Sequence, residues 1–548
     1  MMKLPLIVSS LIQHADRYHA DTEIVSRTIE GPIHRYRYSD AHHRARRMAN
    51  ALRRQGVSVG DRVATMAWNG YRHLELYYAA SGMGAITHTL NPRLFLEQIC
   101  WIIDDADDRI VFFDKSFFPL ILQVARRCPR VRQWVAMTSR EEMPEQGLPN
   151  LLCYEDLIAG ETAEYEWPAL DEGSASALCY TSGTSGNPKG VLYSHRSTLL
   201  HALSTCLPDS LNLSARDVIL PVVPMFHVNA WGLPYSAPLV GAKLVFPGQK
   251  LDGASLCELF DEEGVTFTAG VPTVWQGLLE HLQRSGAQLK TLKRIIVGGS
   301  ACPPSLMRDF NRVCGIRLQH GWGMSELSPI GAVNTLKARH LALTDEERFA
   351  LETKQGRPPF GMDLKAVDSR GIELPRDGKT PGDLMARGHW VTDLYYGKQD
   401  SPLIDGWFPT GDVGHLDQDG FMQITDRSKD VIKSGGEWIS SIDLENIAMS
   451  HPGVGEAAVI GVPHPRWDER PLLVVVCKAA QQASREEILA HYIGKVAKFC
   501  IPDDVVFMDE LPHTATGKVS KSRLREQLRS FTAASPERTP SASQYHEN

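Results

Sequence analysis

Residues 180–190 read Tyr-Thr-Ser-Gly-Thr-Ser-Gly-Asn-Pro-Lys-Gly, and the interpretation of the whole chain starts from this stretch. Glycines let a backbone approach a ligand closely, and successive backbone N–H groups form a nest for phosphate oxygens. The hydroxyl groups add hydrogen-bonding capacity and the lysine adds a positive charge. We therefore predict a polyphosphate-binding loop made by Thr181, Ser182, Gly183, Thr184, Ser185, Gly186 and Lys189.

The loop differs from the common P-loop of nucleoside triphosphatases. That motif places glycine immediately before its lysine, whereas Pro188 precedes Lys189 here and removes a backbone donor. A P-loop enzyme is therefore disfavoured. An ordinary flexible Ser/Gly loop is the alternative interpretation. The apolar run Ala175–Tyr180 before the loop and the second run from Val191 after it argue against that alternative.

Further segments follow the loop in chain order and resemble the motifs of one enzyme superfamily. They are Met225-Phe-His-Val-Asn-Ala-Trp-Gly232, His320-Gly-Trp-Gly-Met-Ser-Glu326, Trp407-Phe-Pro-Thr-Gly-Asp412, Asp426-Arg-Ser-Lys-Asp430 continued by Lys433-Ser-Gly-Gly-Glu-Trp-Ile439, and Pro512-His-Thr-Ala-Thr-Gly-Lys518. Together with the loop they resemble the adenylate-forming superfamily, which comprises acyl-CoA synthetases, beetle luciferases and peptide-synthetase adenylation domains. Because the matches occur in the right order over most of the chain, chance does not explain them.

The chain is too long for one hydrophobic core, with 548 residues, so two or more domains are expected. Strand-like runs such as Arg62–Ala67 and Arg294–Val297 alternate with helical stretches, which predicts parallel α/β layers. The resemblance implies a large N-terminal domain of two α/β subdomains plus a distorted β-barrel, hinged to a small mobile C-terminal α+β domain. The expected bounds are 1–426 for the ATP- and acyl-binding domain, 427–430 for the hinge, 431–529 for the C-terminal domain with a helix at Ser484–Val496, and 530–548 for a disordered tail.

Composition limits the partners and the compartment. The net charge of −7 disfavours a nucleic-acid partner, and no run approaches the roughly 18 apolar residues that span a bilayer, so membrane contact is expected to be peripheral at most. The apolar start of the chain is interrupted by Pro5, so we predict an amphipathic helix from Ser9 onward, with secretion as the alternative. The ten cysteines form no C-x-x-C pair, which indicates reduced thiols in a cytoplasmic enzyme.

The resemblance implies that a carboxylic acid attacks the α-phosphorus of ATP and pyrophosphate departs, which leaves an acyl-adenylate. Lys518 is implied to bridge the carboxylate and the α-phosphate, although a lysine taken alone is usually a solvated surface residue. Glu326 and Thr181 are implied to hold Mg²⁺, which prefers carboxylate and hydroxyl oxygens together with substrate phosphates. Lys518, Glu326 and His227 are the expected catalytic residues, whereas Lys521 is expected to be dispensable.

The nucleoside site is implied by the remaining motif residues. Trp322 is expected to stack on adenine in place of the family's more usual tyrosine, which keeps the flat face and loses the phenolic hydroxyl. Asp412 is suited to accept hydrogen bonds from both ribose hydroxyls, and Arg427 to donate to the ribose or phosphate. Beyond the loop, the implied ATP-binding residues are Gly299, Ser300, His320, Gly321, Trp322, Ser325, Asp412, Arg427, Lys429 and Lys433.

The acid and the thiol have separate implied sites. The acyl site is assigned to His227, Trp231, Gly298, Gly299 and Trp438. Taken alone, His227 is more often a core histidine, and core packing is nearly as good an interpretation of Trp231. The resemblance implies that the C-terminal domain rotates about Lys429, after which a glycine-rich loop lines the path of coenzyme A (CoA). That CoA-binding loop comprises Lys433, Ser434, Gly435, Gly436 and Glu437.

The complete set of motifs predicts a ligase that joins a carboxylic acid to CoA at the expense of ATP. The details resemble the medium- and long-chain fatty-acyl-CoA synthetase branch, in which a homodimer is expected. Activation of methylthiopropionate or another short-chain acid is the alternative substrate hypothesis, and an adenylating enzyme with a different acceptor is a more distant one. A peptide-synthetase module is disfavoured because too few residues follow Lys518 for a carrier domain. A non-catalytic relative would be expected to lack Lys518 or Glu326.

Overall fold

The computed structural model describes residues 1–144, 147–181, 187–435, 437–478, 483–514 and 518–529. The chain divides into two compact units. The first contains Met1–Ile424 together with Lys518, and the second contains Thr425–Thr514 and the described residues from Val519 onward. Within the described ranges, no helix combines the length and the apolar character needed to cross a membrane.

The regular elements are numbered here in chain order. The strands are β1 Glu23–Arg27, β2 Ile33–Arg37, β3 Arg62–Met66, β4 Ile86–Thr89, β5 Ile110–Phe113, β6 Gln133–Ala136, β7 Leu151–Cys153, β8 Ala175–Tyr180, β9 Gly190–Ser194, β10 Val218–Pro221, β11 Lys243–Phe246, β12 Phe267–Gly270, β13 Arg294–Val297, β14 Leu318–Gly323, β15 Ile330–Val333, β16 Met362–Val367, β17 Gly382–Gly388, β18 Phe408–Leu416, β19 Met422–Arg427, β20 Ile432–Ser434, β21 Glu437–Ile439, β22 Val454–His464, β23 Asp468–Cys477 and β24 Asp504–Phe507. The helices are α1 Ser9–Tyr18, α2 Tyr38–Arg54, α3 Tyr71–Gly82, α4 Leu96–Asp105, α5 Phe118–Arg127, α6 Tyr154–Ala159, α7 His195–Cys206, α8 Val228–Trp231, α9 Leu233–Val240, α10 Gly253–Glu263, α11 Pro272–Ser285, α12 Pro304–Cys314, α13 Asp345–Glu352, α14 Ser441–Met449, α15 Arg485–Ala490 and α16 Lys521–Gln527.

Two large sheets dominate the first unit and confirm the predicted α/β layers. One has the strand order β7-β6-β5-β3-β4-β8-β9 and is parallel except for the β8–β9 pair. The other has the order β15-β14-β13-β12-β10-β11-β1-β2 and is antiparallel only at its two ends. Every residue of β5 and β12 is buried, as expected for parallel strands covered on both faces.

The topology brings the predicted motifs together. In the eight-stranded sheet, β10, β12, β13 and β14 are neighbours and parallel, so their carboxyl ends lie along one edge. Ligands of open α/β sheets bind beyond the carboxyl ends of the strands. The His227 segment follows β10, Gly298 and Gly299 follow β13, and Trp322 lies near the end of β14. The phosphate loop likewise follows the carboxyl end of β8 in the other sheet.

The β-rich part of the first unit differs from the distorted β-barrel that was expected. Among the described residues, β16, β17, β18 and β19 form an open four-stranded sheet in that order, and no closed barrel is detected. A closed barrel has no edge strands, whereas β16 and β19 are the two edges of this sheet. The four strands here instead bury one face in an apolar cluster that includes Leu364, Leu384 and Phe408.

The second unit is a mixed sheet with helices packed against it. Strands β21, β20, β23 and β22 are antiparallel neighbours, and β24 pairs in parallel with β23. The helix predicted at Ser484–Val496 is wrong in its extent, since α15 ends at Ala490. The chain turns after it, with Gly494 at a φ of +78° and a bridge between Ile493 and Val496, so the helical path cannot continue.

Candidate active site

The two ends of the predicted phosphate loop are bonded to each other. The backbone N–H of Thr181 donates to the carbonyl oxygen of Lys189 at 2.9 Å, and the N–H of Lys189 donates to Oγ1 of Thr181 at 3.2 Å. The antiparallel pairing of Tyr180 with Gly190 continues this ladder into the sheet. The loop is therefore carried on a rigid β8–β9 hairpin. The residues between its ends, Ser182, Gly183, Thr184, Ser185 and Gly186, lie outside the described residues, as does Gly436.

The segment after His227, named α8 above, is a single left-handed turn and not an ordinary α-helix. Val228, Asn229, Ala230 and Trp231 have φ values of 47°, 49°, 49° and 55°, and Gly232 follows at 79°. L-residues rarely adopt this conformation, which costs roughly 1–2 kcal/mol per residue, and a β-branched residue there is a clear outlier. Such backbone persists only where the surrounding structure holds it, and it concentrates at functional sites.

Two neighbouring elements hold the left-handed turn through Asn229. Oδ1 of Asn229 accepts hydrogen bonds from Oη of Tyr77 at 3.2 Å and from Sγ of Cys179 at 3.4 Å. Tyr77 belongs to α3, and Cys179 lies in β8 just before the phosphate loop. Oη of Tyr77 also donates to the carbonyl oxygen of Met225 at 2.6 Å. The turn is thereby tied to the strand that carries the phosphate loop.

The indole of Trp231 lies against two of the predicted acyl-site glycines. A Cβ atom added to Gly298 would lie 3.2 Å from Cη2 of Trp231 and 2.7 Å from the carbonyl oxygen of Gly321. At Gly299, which has a φ of +83°, an added Cβ would lie 3.7 Å from Cζ2 of Trp231. Only residues without a side chain allow this close approach. The structure thus brings together Trp231, Gly298 and Gly299, assigned to the acyl site, and Gly321, assigned to the ATP site.

The surroundings of His227 favour its neutral imidazole form. Burial lowers its pKa to about 4, and the positive charges of Lys518 and Arg93 act in the same direction. A neutral imidazole offers one hydrogen-bond donor and one acceptor at physiological pH. His320, also assigned to the site, is buried with a pKa of about 4, and its ring Nδ1 faces the carbonyl oxygen of Thr353 at 3.4 Å. Ser300 is exposed.

Trp322 and Asp412 form a bonded pair that the sequence did not predict. Nε1 of Trp322 donates to Oδ2 of Asp412 at 2.8 Å, and both side chains are buried. The ring also packs against Gly331, where an added Cβ would lie 2.3 Å from Cζ3 of the indole. The tryptophan therefore does more than replace the flat face of a tyrosine, because its N–H orients the carboxylate predicted to bind ribose.

Glu326 and Ser325 lie in a short turn held from two sides. Oη of Tyr395 donates to Oε1 of Glu326 at 2.8 Å, and Oη of Tyr193 donates to the carbonyl oxygen of Ser325 at 2.8 Å. Both carboxylate and hydroxyl oxygens, as on Glu326 and Thr181, are ligands that Mg²⁺ accepts. Within the described residues, no group of three or more His, Cys, Asp or Glu side chains could hold a metal. A carboxylate and a hydroxyl are donor types that suit Mg²⁺, which commonly takes its other ligands from water and substrate phosphates.

In the second unit, the predicted CoA loop is held by the segment that starts at Trp467. Strands β20 and β21 pair Lys433 with Trp438 and Ser434 with Glu437, and Trp438 is half exposed. Gly435 has a φ of +61°, and its N–H donates to the carbonyl oxygen of Trp467 at 2.8 Å. An added Cβ at Gly435 would lie 2.9 Å from Cε3 of Trp467. Only glycine fits this turn without strain.

Lys521 belongs to a buried ion cluster in the second unit. Its Nζ lies 2.7 Å from Oε1 of Glu445 and 2.5 Å from Oγ of Ser441. The N–H of Ser441 donates to Oδ2 of Asp426 at 2.7 Å, beside the predicted hinge at 427–430. One turn along α16, Arg525 pairs with Asp430 at 2.8 Å. The sequence analysis did not foresee this cluster, in which Glu445 has Lys521 as its cation; the expectation that Lys521 is dispensable for the reaction stays a prediction.

Sequence reasoning missed several residues around the site. Tyr193, Tyr395 and Trp467 each hold a predicted site residue through a hydrogen bond, and Asn229 holds the turn that carries Trp231. Asn229 offered a signal, because asparagine tolerates the left-handed region and precedes Gly232 here. The two tyrosines and Trp467 offered none, since buried aromatic residues are usually core.

Comparison with known proteins shows the family of the chain. The AMP-binding enzyme family matches residues 11–396, and the AMP-binding enzyme C-terminal domain matches residues 443–518. A medium-chain-fatty-acid–CoA ligase of Ectopseudomonas oleovorans is 52% identical over 96% of this chain and 96% of that protein. A 3-methylmercaptopropionyl-CoA ligase of Ruegeria lacuscaerulensis is 53% identical over 96% of this chain and 98% of that protein.

A solved structure extends the similarity to three dimensions. The ATP-bound MatB from Rhodopseudomonas palustris superposes with a TM-score of 0.80 at 26% identity, covering 95% of this chain and 99% of that one. The family matches and this superposition together span both units of the chain. The chain therefore belongs to the AMP-binding enzyme family.

Proposed function

We propose that this protein is an ATP-dependent fatty acid–CoA ligase that forms acyl-CoA, AMP and pyrophosphate through an acyl-adenylate. One observation carries the proposal. The Trp231 indole lies on Gly298 and Gly299 at the same sheet edge as the bonded pair of Trp322 and Asp412. We assign the acid to a proposed slot beside this indole, next to the pair that has the chemistry of a nucleoside pocket. The similarity to CoA ligases supports the same conclusion.

In the proposed adenylation step, each residue binds, orients or neutralises charge. Asp412, oriented by Trp322, accepts the ribose hydroxyls, and Lys189 with the ends of its loop holds the phosphates. Lys518 places its ammonium between the acid carboxylate and the α-phosphate, where negative charge develops. His227 stays neutral, so it donates a hydrogen bond without adding a second positive charge. Mg²⁺ held by Glu326 and Thr181 would neutralise phosphate charge.

The proposed acyl site has Trp231 as its principal wall. The left-handed turn fixes the indole against Gly298 and Gly299, so the depth of the slot depends on that backbone. Replacing Trp231 with Ala removes the wall and should shift the preferred chain length while leaving the KM for ATP unchanged. An unchanged order of kcat/KM values across acids of different chain length would show that Trp231 serves core packing only.

The proposed thioester step uses the second unit. The loop of Lys433, Ser434, Gly435, Gly436 and Glu437 lines the path of the CoA thiol after rotation about Lys429. Small residues in such a loop leave room for a pantetheine chain beside the backbone. A homodimer and a cytoplasmic location are proposed with the function, by analogy with the branch that the motifs resemble.

Methylthiopropionate remains the second candidate substrate, because the similarities to the two kinds of ligase are nearly equal. One methylene in an apolar pocket changes discrimination by only about 1–3 kcal/mol, so activity over a range of acids is expected. Relative kcat/KM values therefore decide between the candidates.

The experiment that tests the function measures pyrophosphate release from ATP with straight-chain acids and with methylthiopropionate, each with and without CoA. Release that depends on both acid and CoA, with acyl-CoA as product, supports the ligase. Accumulation of acyl-AMP without any effect of CoA would identify a different acceptor and refute the proposed CoA loop.

The half-reactions of the Lys518→Ala variant test the assignment of that residue. Adenylation should be lost, whereas transfer of the acyl group from supplied acyl-adenylate to CoA should largely persist, because only the first step develops charge at the α-phosphate. Equal loss of both half-reactions would contradict the role. Lys478→Ala, at an exposed position of the second unit, is the control and should leave both steps unchanged.

A further inference from the structure

Tyr395 contacts two side chains that were assigned to different parts of the nucleotide site. Its Oη donates to Oε1 of Glu326 at 2.8 Å. On the face of the same ring, Nζ of Lys189 lies 4.9 Å from the centroid, within the range of a cation–π interaction. No motif in the sequence included Tyr395. A single side chain thus joins the predicted metal carboxylate to the lysine of the phosphate loop.

Backbone hydrogen bonds fix the position of Tyr395 relative to both partners. Tyr395 forms an antiparallel bridge with Val191, and the N–H of Tyr396 donates to the carbonyl oxygen of Gly190 at 2.8 Å. The N–H of Thr392 donates to the carbonyl oxygen of Glu326 at 2.8 Å. The segment 392–396 is therefore bonded both to the strand that follows the phosphate loop and to the turn that carries Glu326.

The surroundings make the phenol the natural partner of this carboxylate. Glu326 is 8% exposed, and a buried polar group needs hydrogen-bond partners, which also hold it in one orientation. The ring of Tyr395 also packs on a small apolar cluster that includes Val191, Tyr193 and Val228. The ring is thus immobilised, and its hydroxyl is aimed at one oxygen of Glu326.

We propose that Tyr395 is a positioning residue for adenylation: its hydroxyl sets the rotamer of Glu326 for metal binding, and its ring seats the ammonium of Lys189 for the phosphates. The inference rests on the proposed function and deepens it. Outer-shell partners of metal-binding carboxylates usually affect metal affinity about 10–100-fold when they are removed. Tyr395 acts through Glu326 and Lys189, and no contact with substrate is assigned to it.

The test separates the hydroxyl from the ring. Tyr395→Phe removes the hydroxyl alone, and Tyr395→Leu removes both features. Tyr396→Phe is the matched control, because that hydroxyl faces the carbonyl oxygen of Ala106 at 3.5 Å instead of a site residue. Binding of Mn²⁺ is measured by electron paramagnetic resonance with α,β-methylene-ATP present, and binding of the metal-free analogue is measured by calorimetry.

Tyr395→Phe should raise the Kd for Mn²⁺ about tenfold and leave the metal-free affinity within about twofold. Tyr395→Leu should in addition weaken the metal-free analogue by about two- to fivefold, the size of one cation–π contact. Tyr396→Phe should change neither. Melting temperatures measured without ligand identify a folding defect. If a Tyr395 variant has a lower melting temperature but unchanged affinities for Mn²⁺ and for the metal-free analogue, the inference is overturned.

A double-mutant cycle with Glu326→Gln distinguishes the two levels of the proposal. If Glu326→Gln loses Mn²⁺ affinity and Tyr395→Phe adds no further loss in that background, the two residues act as one unit. If Glu326→Gln loses affinity but Tyr395→Phe matches Tyr396→Phe, Tyr395 has no positioning role and the proposed function stands. If Glu326→Gln keeps wild-type affinity, the metal role within the proposed function fails, and the inference fails with it.

Discussion

Trp322→Phe tests whether the indole N–H, as well as the flat ring, serves the nucleoside site. The substitution keeps an aromatic face and deletes the 2.8 Å hydrogen bond from Nε1 to Oδ2 of Asp412. A hydrogen bond to a charged group contributes about 1.5–3 kcal/mol, which corresponds to roughly 10–150-fold in a binding constant. Asp412 has further interactions besides this bond. We therefore expect the lower limit, a rise of about tenfold in the KM for ATP.

The assay is acid-dependent ATP–pyrophosphate exchange with ATP, 2′-deoxy-ATP and 3′-deoxy-ATP at a saturating concentration of acid. Because the lost bond orients the carboxylate proposed to bind ribose, the variant should also lose much of its preference for ATP over the deoxynucleotides. The KM for the acid should stay within about twofold, since the smaller ring changes the nucleoside side of the site.

Trp390→Phe is the matched control for this prediction. The Trp390 indole is buried, and its N–H donates to the carbonyl oxygen of Ile330 at 2.9 Å, away from Asp412. That variant should lose stability, as a smaller ring in a core does, without any change in the KM for ATP. An unchanged KM for ATP in Trp322→Phe, or an unchanged preference for ATP over the deoxynucleotides, would refute the reasoning.

The remaining predictions concern the second unit and the acid stability of the first. Lys521→Met leaves the buried carboxylate of Glu445 without its cation and should lower the free energy of unfolding by about 3–5 kcal/mol in urea titrations. A loss below about 1 kcal/mol would show that the ion cluster is solvated. Gly435→Leu should preserve pyrophosphate exchange and slow acyl transfer to CoA, because φ is +61° and an added Cβ meets Trp467 at 2.9 Å, whereas a prior loss of exchange would contradict the loop assignment. Burial lowers the pKa of His201 to about 3 in the folded protein. As pH falls below about 6.5, the imidazole is protonated in the unfolded chain but not in the folded one. The free energy of unfolding should therefore decrease from about pH 6.5 towards pH 3. His201→Gln should flatten that decline in pH-dependent unfolding, and an unchanged slope would assign it to other groups.

Much of the fold could be predicted because local pattern and tertiary structure agree in the first unit. The strand-like runs Arg62–Ala67 and Arg294–Val297 match β3, which ends at Met66, and β13, and the predicted family is confirmed by the two family matches. Continuous apolar runs between helical periods leave little choice of architecture. Where the local signal is weak, as after Ala490, the extent of the helix was wrong.

The parts of the site that escaped prediction depend on contacts between distant residues. Tyr395 and Glu326 are 69 residues apart, and no local pattern links them. A lone lysine is by default a solvated one, so the burial of Lys521 required knowledge of its carboxylate partners. The bond from Trp322 to Asp412 likewise became visible only when β14 and β18 were placed in space. Motifs identify reacting groups, whereas the residues that orient them are found from packing.

The left-handed turn at Val228–Trp231 has a consequence for transplanting this pocket into another protein. L-amino acids favour the right-handed conformation, so the turn, if grafted without its neighbours, should become right-handed. The Trp231 indole would then move away from the position that it has here. The shape of the proposed slot therefore depends on Tyr77 and Cys179, which lie on two other elements and hydrogen-bond to Asn229, as much as on the turn itself. For the same reason, a D-alanine installed at position 230 by chemical synthesis should fit the turn with less strain than the natural residue.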